Sequence, residues 1–89
     1  MKTVSIIVSG RVQGVWFRKY AQEKAIELHI TGYVQNLPNR SVNIIATGTA
    51  LQLKQLADWC YIGSTMSNVT NVEVTDLELE LFDDFRIIR

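Results

Sequence analysis

Ser9-Gly-Arg-Val-Gln-Gly-Val-Trp-Phe-Arg-Lys19 (SGRVQGVWFRK) sits where one hydrophobic period gives way to another. Upstream of it, Val4, Ile6 and Val8 alternate with Thr3, Ser5 and Ser9, and Ile7 adds one apolar residue to the second face. That period of two, rich in β-branched residues, predicts a strand over about 3–10. Downstream, Phe17, Ala21, Ala25 and Leu28 recur at i, i+4, i+8 and i+11, which lines one face of a helix over about 17–28. Glu23, Lys24 and Glu27 fall away from that stripe. The stretch is therefore a strand-to-helix connection.

The remaining chain completes the pattern. The first helix stops at His29, with Gly32 soon after, and Thr31–Leu37 and Ser41–Thr47 read as two strands. Pro38-Asn39-Arg40 between them is turn chemistry, which predicts a hairpin. Thr49-Ala-Leu-Gln52 fits a capping box, followed by an apolar helical stripe of Leu53, Leu56, Ala57 and Cys60 that ends at Gly63. A polar loop, 64–68, leads to a last long strand in which Val72 and Val74 alternate, as do Leu77, Leu79 and Leu81. The two sets are out of phase, so a bulge is expected near Thr75-Asp76. Phe85-Arg-Ile-Ile88 is read as a short terminal strand.

The order β-α-β-β-α-β plus a small strand predicts an α+β, ferredoxin-like sandwich: an antiparallel sheet of four main strands with both helices on one face. That fold hosts many functions and selects none.

At 89 residues the chain is expected to form a single domain, 1–89, with one modest core. A hydrophobic share of 47% with 20% charged residues is that of an ordinary soluble protein, here expected in the cytoplasm. Nine basic residues against nine acidic ones leave no cationic excess, which argues against nucleic acid as a partner. The apolar run at the amino terminus is broken by Ser5 and Ser9, too short for a signal peptide or a membrane span. A single cysteine, Cys60, excludes an internal disulfide and a cysteine-based zinc site.

In the opening stretch, the loop delivers several backbone N–H groups to a helix amino terminus, where the dipole is positive. Gly10 and Gly14 allow conformations in which successive N–H groups converge. Arg18 in the first helical turn is a cation at the wrong end of the dipole, at a cost of roughly 0.3–1 kcal/mol. An anion sharing that place would resolve the conflict, since the guanidinium fork matches two phosphate oxygens. Spacing alone leaves two readings open: an anion cradle, or a plain connection with an exposed arginine.

The run GRVQGVWFR (10–18) resembles the acylphosphatase signature G-x-V-Q-G-V-x-F-R, the phosphate loop of that family. TGYVQNLPNRSV (31–42) is similar to the family's T-G-x-V-x-N-x-x-x-G-x-V, and the likeness continues through ATG (46–48), the Gly63 and Val69 spacing, and FRI (85–87). The resemblance implies hydrolysis of acyl phosphates to a carboxylate and inorganic phosphate, without metal or organic cofactor, and the enzyme is expected to be a monomer. It implies Arg18 and Asn36 as the catalytic pair, with phosphate held by the backbone amides of Gln13, Gly14, Val15, Trp16, Phe17 and Arg18. Asn36, one acceptor and two donors, is then the group that orients water. A carboxylate leaving group is stable at neutral pH, so such chemistry leans on positioning and charge stabilisation.

Five positions, in three places, depart from the family pattern. His29 stands where glycine is usual and is read as a left-handed helix cap rather than a general base. Arg40 also replaces a glycine and would carry a positive φ beside Asn36. Ser64, Thr65 and Ser67 replace Pro, Pro and Ala, which predicts a more flexible loop. Trp16 is read either as a wall of the pocket or as ordinary packing.

Other chemistries fit poorly. A cysteine phosphatase needs arginine six positions after its nucleophile, and six after Cys60 is Met66. No GxxxxGK[ST] loop is present, and Asp83-Asp84 alone makes no metal cage. The alternative function is a non-catalytic ferredoxin-like module that binds an anion or a protein through the same loop.

Overall fold

The computed structural model describes residues 1–89. Its elements are β1 (Lys2–Arg11), α1 (Phe17–Glu27), β2 (Thr31–Asn36), β3 (Val42–Gly48), α2 (Ala50–Ile62), β4 (Asn68–Leu77) and β5 (Phe85–Ile88). The sheet order is β4-β1-β3-β2-β5. The four long strands pair antiparallel, and β5 adds parallel to β2, so the sheet is mixed at that edge. This is the ferredoxin-like α+β arrangement.

The alternation in β1 sends Val4, Ile6 and Val8 to the helix-covered face, where they meet Ile44, Val34 and the stripes of both helices in one core. Phe17, Ala21 and Ala25 are the buried face of α1, and Leu53, Leu56 and Cys60 that of α2. The capping box of α2 forms as expected: Gln52 N–H donates to Thr49 Oγ1 at 3.1 Å, and Thr49 N–H to Gln52 Oε1 at 2.8 Å. Cys60 is buried and its thiol is pushed up to about 12 by desolvation, so it stays protonated and inert at neutral pH.

Two details differ from the sequence reading. The slip in register lies between Ser9 and Gly10, opposite Asn71 and Val69, not at Thr75-Asp76. There β1 and β4 pair in continuous register to Thr3 and Leu77, so Leu77 faces away from Val72 and Val74. No bulge is needed because the strand ends at Leu77, and Leu79 and Leu81 are not part of it.

The reason is topological. β4 and β5 are opposite edges of the sheet, so the chain between them must cross its second face. It is fastened as it crosses: Glu80 N–H donates to Thr3 Oγ1 at 2.9 Å, and Thr47 Oγ1 donates to Glu80 O at 2.6 Å. Phe82 then meets Tyr33 edge to face at 5.9 Å, and Gly32 N–H donates to Asp84 O at 2.9 Å. With helices on one side and this crossing on the other, every residue of β3 is buried.

β1, β2 and β5 run in one direction, so their carboxyl ends lie at the same end of the sheet. The starts of α1 and β4 lie there too.

Candidate active site

Gly10 does not belong to the anion loop. It is the penultimate residue of β1, at φ 118°, and a Cβ there would run into the carbonyl oxygen of Asn68 on β4. Its glycine is explained by that close approach, which corrects the expectation that it cradles an anion. The loop proper is 12–16, and its backbone alternates in hand. Gly14 has φ 71° and Trp16 φ 65°, while Gln13, Val15 and Phe17 stay at negative φ. Alternation of this kind turns successive N–H groups toward one side, a concave nest whose geometry suits an anion. No acceptor within the chain takes up the N–H groups of Gln13–Arg18. A Cβ on Gly14 would meet nothing within 4 Å, so that side of the loop is open.

The side chains of Val15 and Phe17 point the other way. Both are buried, and the Phe17 ring packs against Trp59 at 5.2 Å. These residues can meet a ligand only through their backbone. Trp16 is 68% exposed, so the packing reading fails for it. It lines the open cleft together with Gly14, Arg18 and Lys19, and Lys19 Nζ lies 5.8 Å from its ring centroid.

Arg18 is partly buried in the first turn of α1, a turn that carries no acidic residue. One contact fixes it: Nη1 donates to Ile88 O, at the end of β5, at 3.2 Å. No carboxylate pairs with it.

Asn36 is the last residue of β2 and shares the helix-covered face with Val34. Its Oδ1 is buried without a hydrogen-bond partner. A buried amide oxygen left unpaired is costly, of order 1–3 kcal/mol, and such orphans concentrate where a ligand or water completes the set.

The loop and the asparagine are tied together by the Gln13 side chain, whose Nε2 donates to Leu37 O at 2.9 Å and to Ser41 O at 2.8 Å. One amide thus holds the hairpin turn that follows Asn36 against the nest. Sequence reasoning gave Gln13 only a backbone role; its side chain was the missed feature. Gln13→Ala is expected to lower unfolding free energy by about 1–2 kcal/mol, as two neutral hydrogen bonds are lost. Gln13→Glu should be worse, because a carboxylate would face two carbonyl oxygens. Urea unfolding of both variants measures the order.

A larger groove lies along α1 beside Trp59 and Thr65, but Glu23 and Glu27 outnumber Lys24 in its lining, and Lys24 is paired with Glu27 at 2.6 Å. Its charge has the wrong sign for an anion.

A family model described as acylphosphatase matches residues 4–87. The chain belongs to the acylphosphatase family. The acylphosphatase of Shewanella amazonensis is 48% identical over 88 residues, spanning 98% of this chain and 97% of that one. Among solved structures, acylphosphatase from Bacillus subtilis superposes with a TM-score of 0.96 at 37% identity, covering 100% of both chains. Acylphosphatase from Coxiella burnetii gives 0.94 at 36% identity, covering 98% of this chain and 92% of that one.

Within this acylphosphatase family member, the departures noted in the sequence have structural counterparts. His29, just beyond the Leu28 cap of α1, takes φ 61°, exposed and donating its N–H to Ile26 O at 3.0 Å, which gives it a terminating role. Arg40 adopts φ 74°, as the hairpin requires, and Asn39 Oδ1 accepts from Ser41 N–H at 3.1 Å to close the turn. Arg40→Gly should therefore raise unfolding free energy by about 1 kcal/mol, since glycine adopts that conformation without a Cβ clash. A thermal melt reads the change. In the 64–67 loop the serines add hydrogen bonds. Ser67 N–H and Oγ both donate to Ser64 O, at 3.0 and 2.7 Å, and the Ser67 hydroxyl supplies a bond that the usual alanine cannot.

Proposed function

We propose that this chain hydrolyses acyl phosphates by holding the phosphoryl group in the nest of Gln13–Arg18 and directing water from Asn36. The observation that carries the assignment is the juxtaposition of the loop and Asn36 at the carboxyl ends of β1 and β2, which Gln13 fastens. It places a row of unpaired N–H donors, a guanidinium without a carboxylate partner and an orphaned amide oxygen at one end of the sheet.

Each group has a distinct task. The amides and the Arg18 fork hold the equatorial phosphoryl oxygens as charge redistributes, and such preorganised donors act without reorienting during reaction. Asn36 Oδ1 accepts a hydrogen bond from water and turns its lone pair toward phosphorus. The new bond joins the water oxygen to phosphorus, and the bond from phosphorus to the acyl oxygen breaks. Its electron pair leaves on the carboxylate. The water proton passes to a phosphoryl oxygen, so no histidine or carboxylate base is required, and none stands among the site residues.

The loop, Arg18 and Asn36 lie within residues 13–36 and need no group from a second copy, and the enzyme is read as a monomer with a single domain over 1–89. A balanced charge and a lone buried thiol suit the cytoplasm, and no helix is long and apolar enough to cross a membrane.

The deciding assay is release of inorganic phosphate from benzoyl phosphate, with and without chelator. Turnover at equal rates in both supports cofactor-free hydrolysis. Phosphate binding without turnover would instead favour a module that holds an anion and performs no chemistry.

A further inference from the structure

Ser64 lies outside both sequence motifs, yet its hydroxyl reaches into the anion loop. Its Oγ donates to the carbonyl oxygen of Val15 at 2.7 Å, and both residues are buried, at 5% and 7% exposure. The carbonyl therefore faces the interior. Because the peptide between Val15 and Trp16 is trans and planar, its N–H points opposite to that carbonyl, on the side of the open cleft.

This peptide is under a specific stress. Trp16 sits at φ 65°, a left-handed conformation that costs a residue with a side chain appreciable energy. Rotating the Val15–Trp16 peptide plane changes ψ of Val15 and φ of Trp16 together. The turn that would carry Trp16 back to negative φ is thus a peptide flip. It would withdraw the Trp16 N–H from the nest and aim the Val15 oxygen, with its partial negative charge, at the bound anion. A buried hydrogen bond to a carbonyl is of the same size as the strain that favours the flip, so a single hydroxyl suffices to decide the balance.

We propose that Ser64 is a positioning residue for the phosphate nest, holding the Val15–Trp16 peptide so that the Trp16 N–H faces the phosphoryl group. Ser64 is itself held from behind, since the N–H and hydroxyl of Ser67 both donate to its carbonyl. The turn after α2 thereby acts on a loop 49 residues away in sequence. The inference rests on the reading of 13–18 as the phosphoryl site.

The experiment measures the competitive inhibition constant of inorganic phosphate, together with kcat/KM for benzoyl phosphate, in the unmodified protein, Ser64→Ala and Ser64→Thr. The same Ser64→Ala change is then made in a Trp16→Gly background. Loss of one buried hydrogen bond should weaken phosphate inhibition about five- to tenfold in Ser64→Ala, with kcat/KM falling at least as far. Ser64→Thr, which keeps the hydroxyl, should recover most of both. In the Trp16→Gly background the strain that drives the flip is gone, and the Ser64→Ala loss should shrink below about twofold. Circular dichroism confirms the fold, and Ser64→Cys, similar in size but a weak donor, carries the same comparison if Ser64→Ala does not fold. An unchanged inhibition constant in folded Ser64→Ala overturns the proposal. So does an equal loss in the Trp16→Gly background, which would mark Ser64 as a packing residue only. If the unmodified protein neither turns over benzoyl phosphate nor is inhibited by phosphate, the nest reading itself fails, and this inference with it.

Discussion

Arg18→Ala should lower kcat/KM for benzoyl phosphate about a thousandfold while leaving the fold intact. Removing one preorganised donor to a developing charge commonly costs a hundred- to a thousandfold in turnover, and this donor is a two-pronged cation. The structural cost is small because the side chain makes one hydrogen bond, to Ile88 O, and no ion pair. Stability should even rise by a few tenths of a kcal/mol: alanine is the better helix former, and a cation leaves the positive end of α1. Arg18→Lys keeps the charge but loses the fork, so its activity should fall between the two. Initial rates beside urea unfolding separate the effects. An alanine variant within tenfold of the unmodified protein would remove Arg18 from the site, and an unfolded one would show its role to be structural.

How much of the fold and site is legible in the sequence depends on the distance over which each feature is encoded. β1 and α1 announce themselves through local periodicity, and so do the capping box of α2 and the left-handed turn at Arg40. The motifs around Arg18 and Asn36 could be quoted, but their meeting could not. It depends on β3 lying between β1 and β2, which puts both carboxyl ends at one end of the sheet.

The misreadings share one cause. Leu77, Leu79 and Leu81 alternate like a strand because an extended crossing segment has the same period, and only the edge positions of β4 and β5 reveal that the chain must leave the sheet. Gly10 looked like a partner of Gly14 because nothing local records the carbonyl of Asn68 pressing on it. Trp16 is harder still. An aromatic residue gives no sign of a positive φ, which Ser64 helps to hold from the far side of the loop.

Asn36→Ala should abolish most turnover, roughly a hundred- to a thousandfold in kcat, and yet leave the protein as stable as before or more so. Its amide makes no hydrogen bond within the chain, and Oδ1 is buried without a partner. Folding therefore bears the desolvation of that oxygen, of order 1–3 kcal/mol, without return from the protein. Alanine removes the burden and leaves a small gap in exchange, so thermal melting should not fall. Catalysis should respond differently, because in the proposed reaction a water aligned by Oδ1 is needed as phosphorus is attacked and contributes little when phosphate merely binds. The loss should appear in kcat, with the phosphate inhibition constant within about twofold, because the nest and Arg18 are untouched. Asn36→Asp sharpens the test. It keeps an acceptor but places a carboxylate beside an anionic substrate, so phosphate should bind more weakly and turnover should not return. Full activity in Asn36→Ala would show that water is placed by another group. A large loss of stability would show that the amide has a partner in the folded chain, and that its orphaned oxygen is not held in reserve for water.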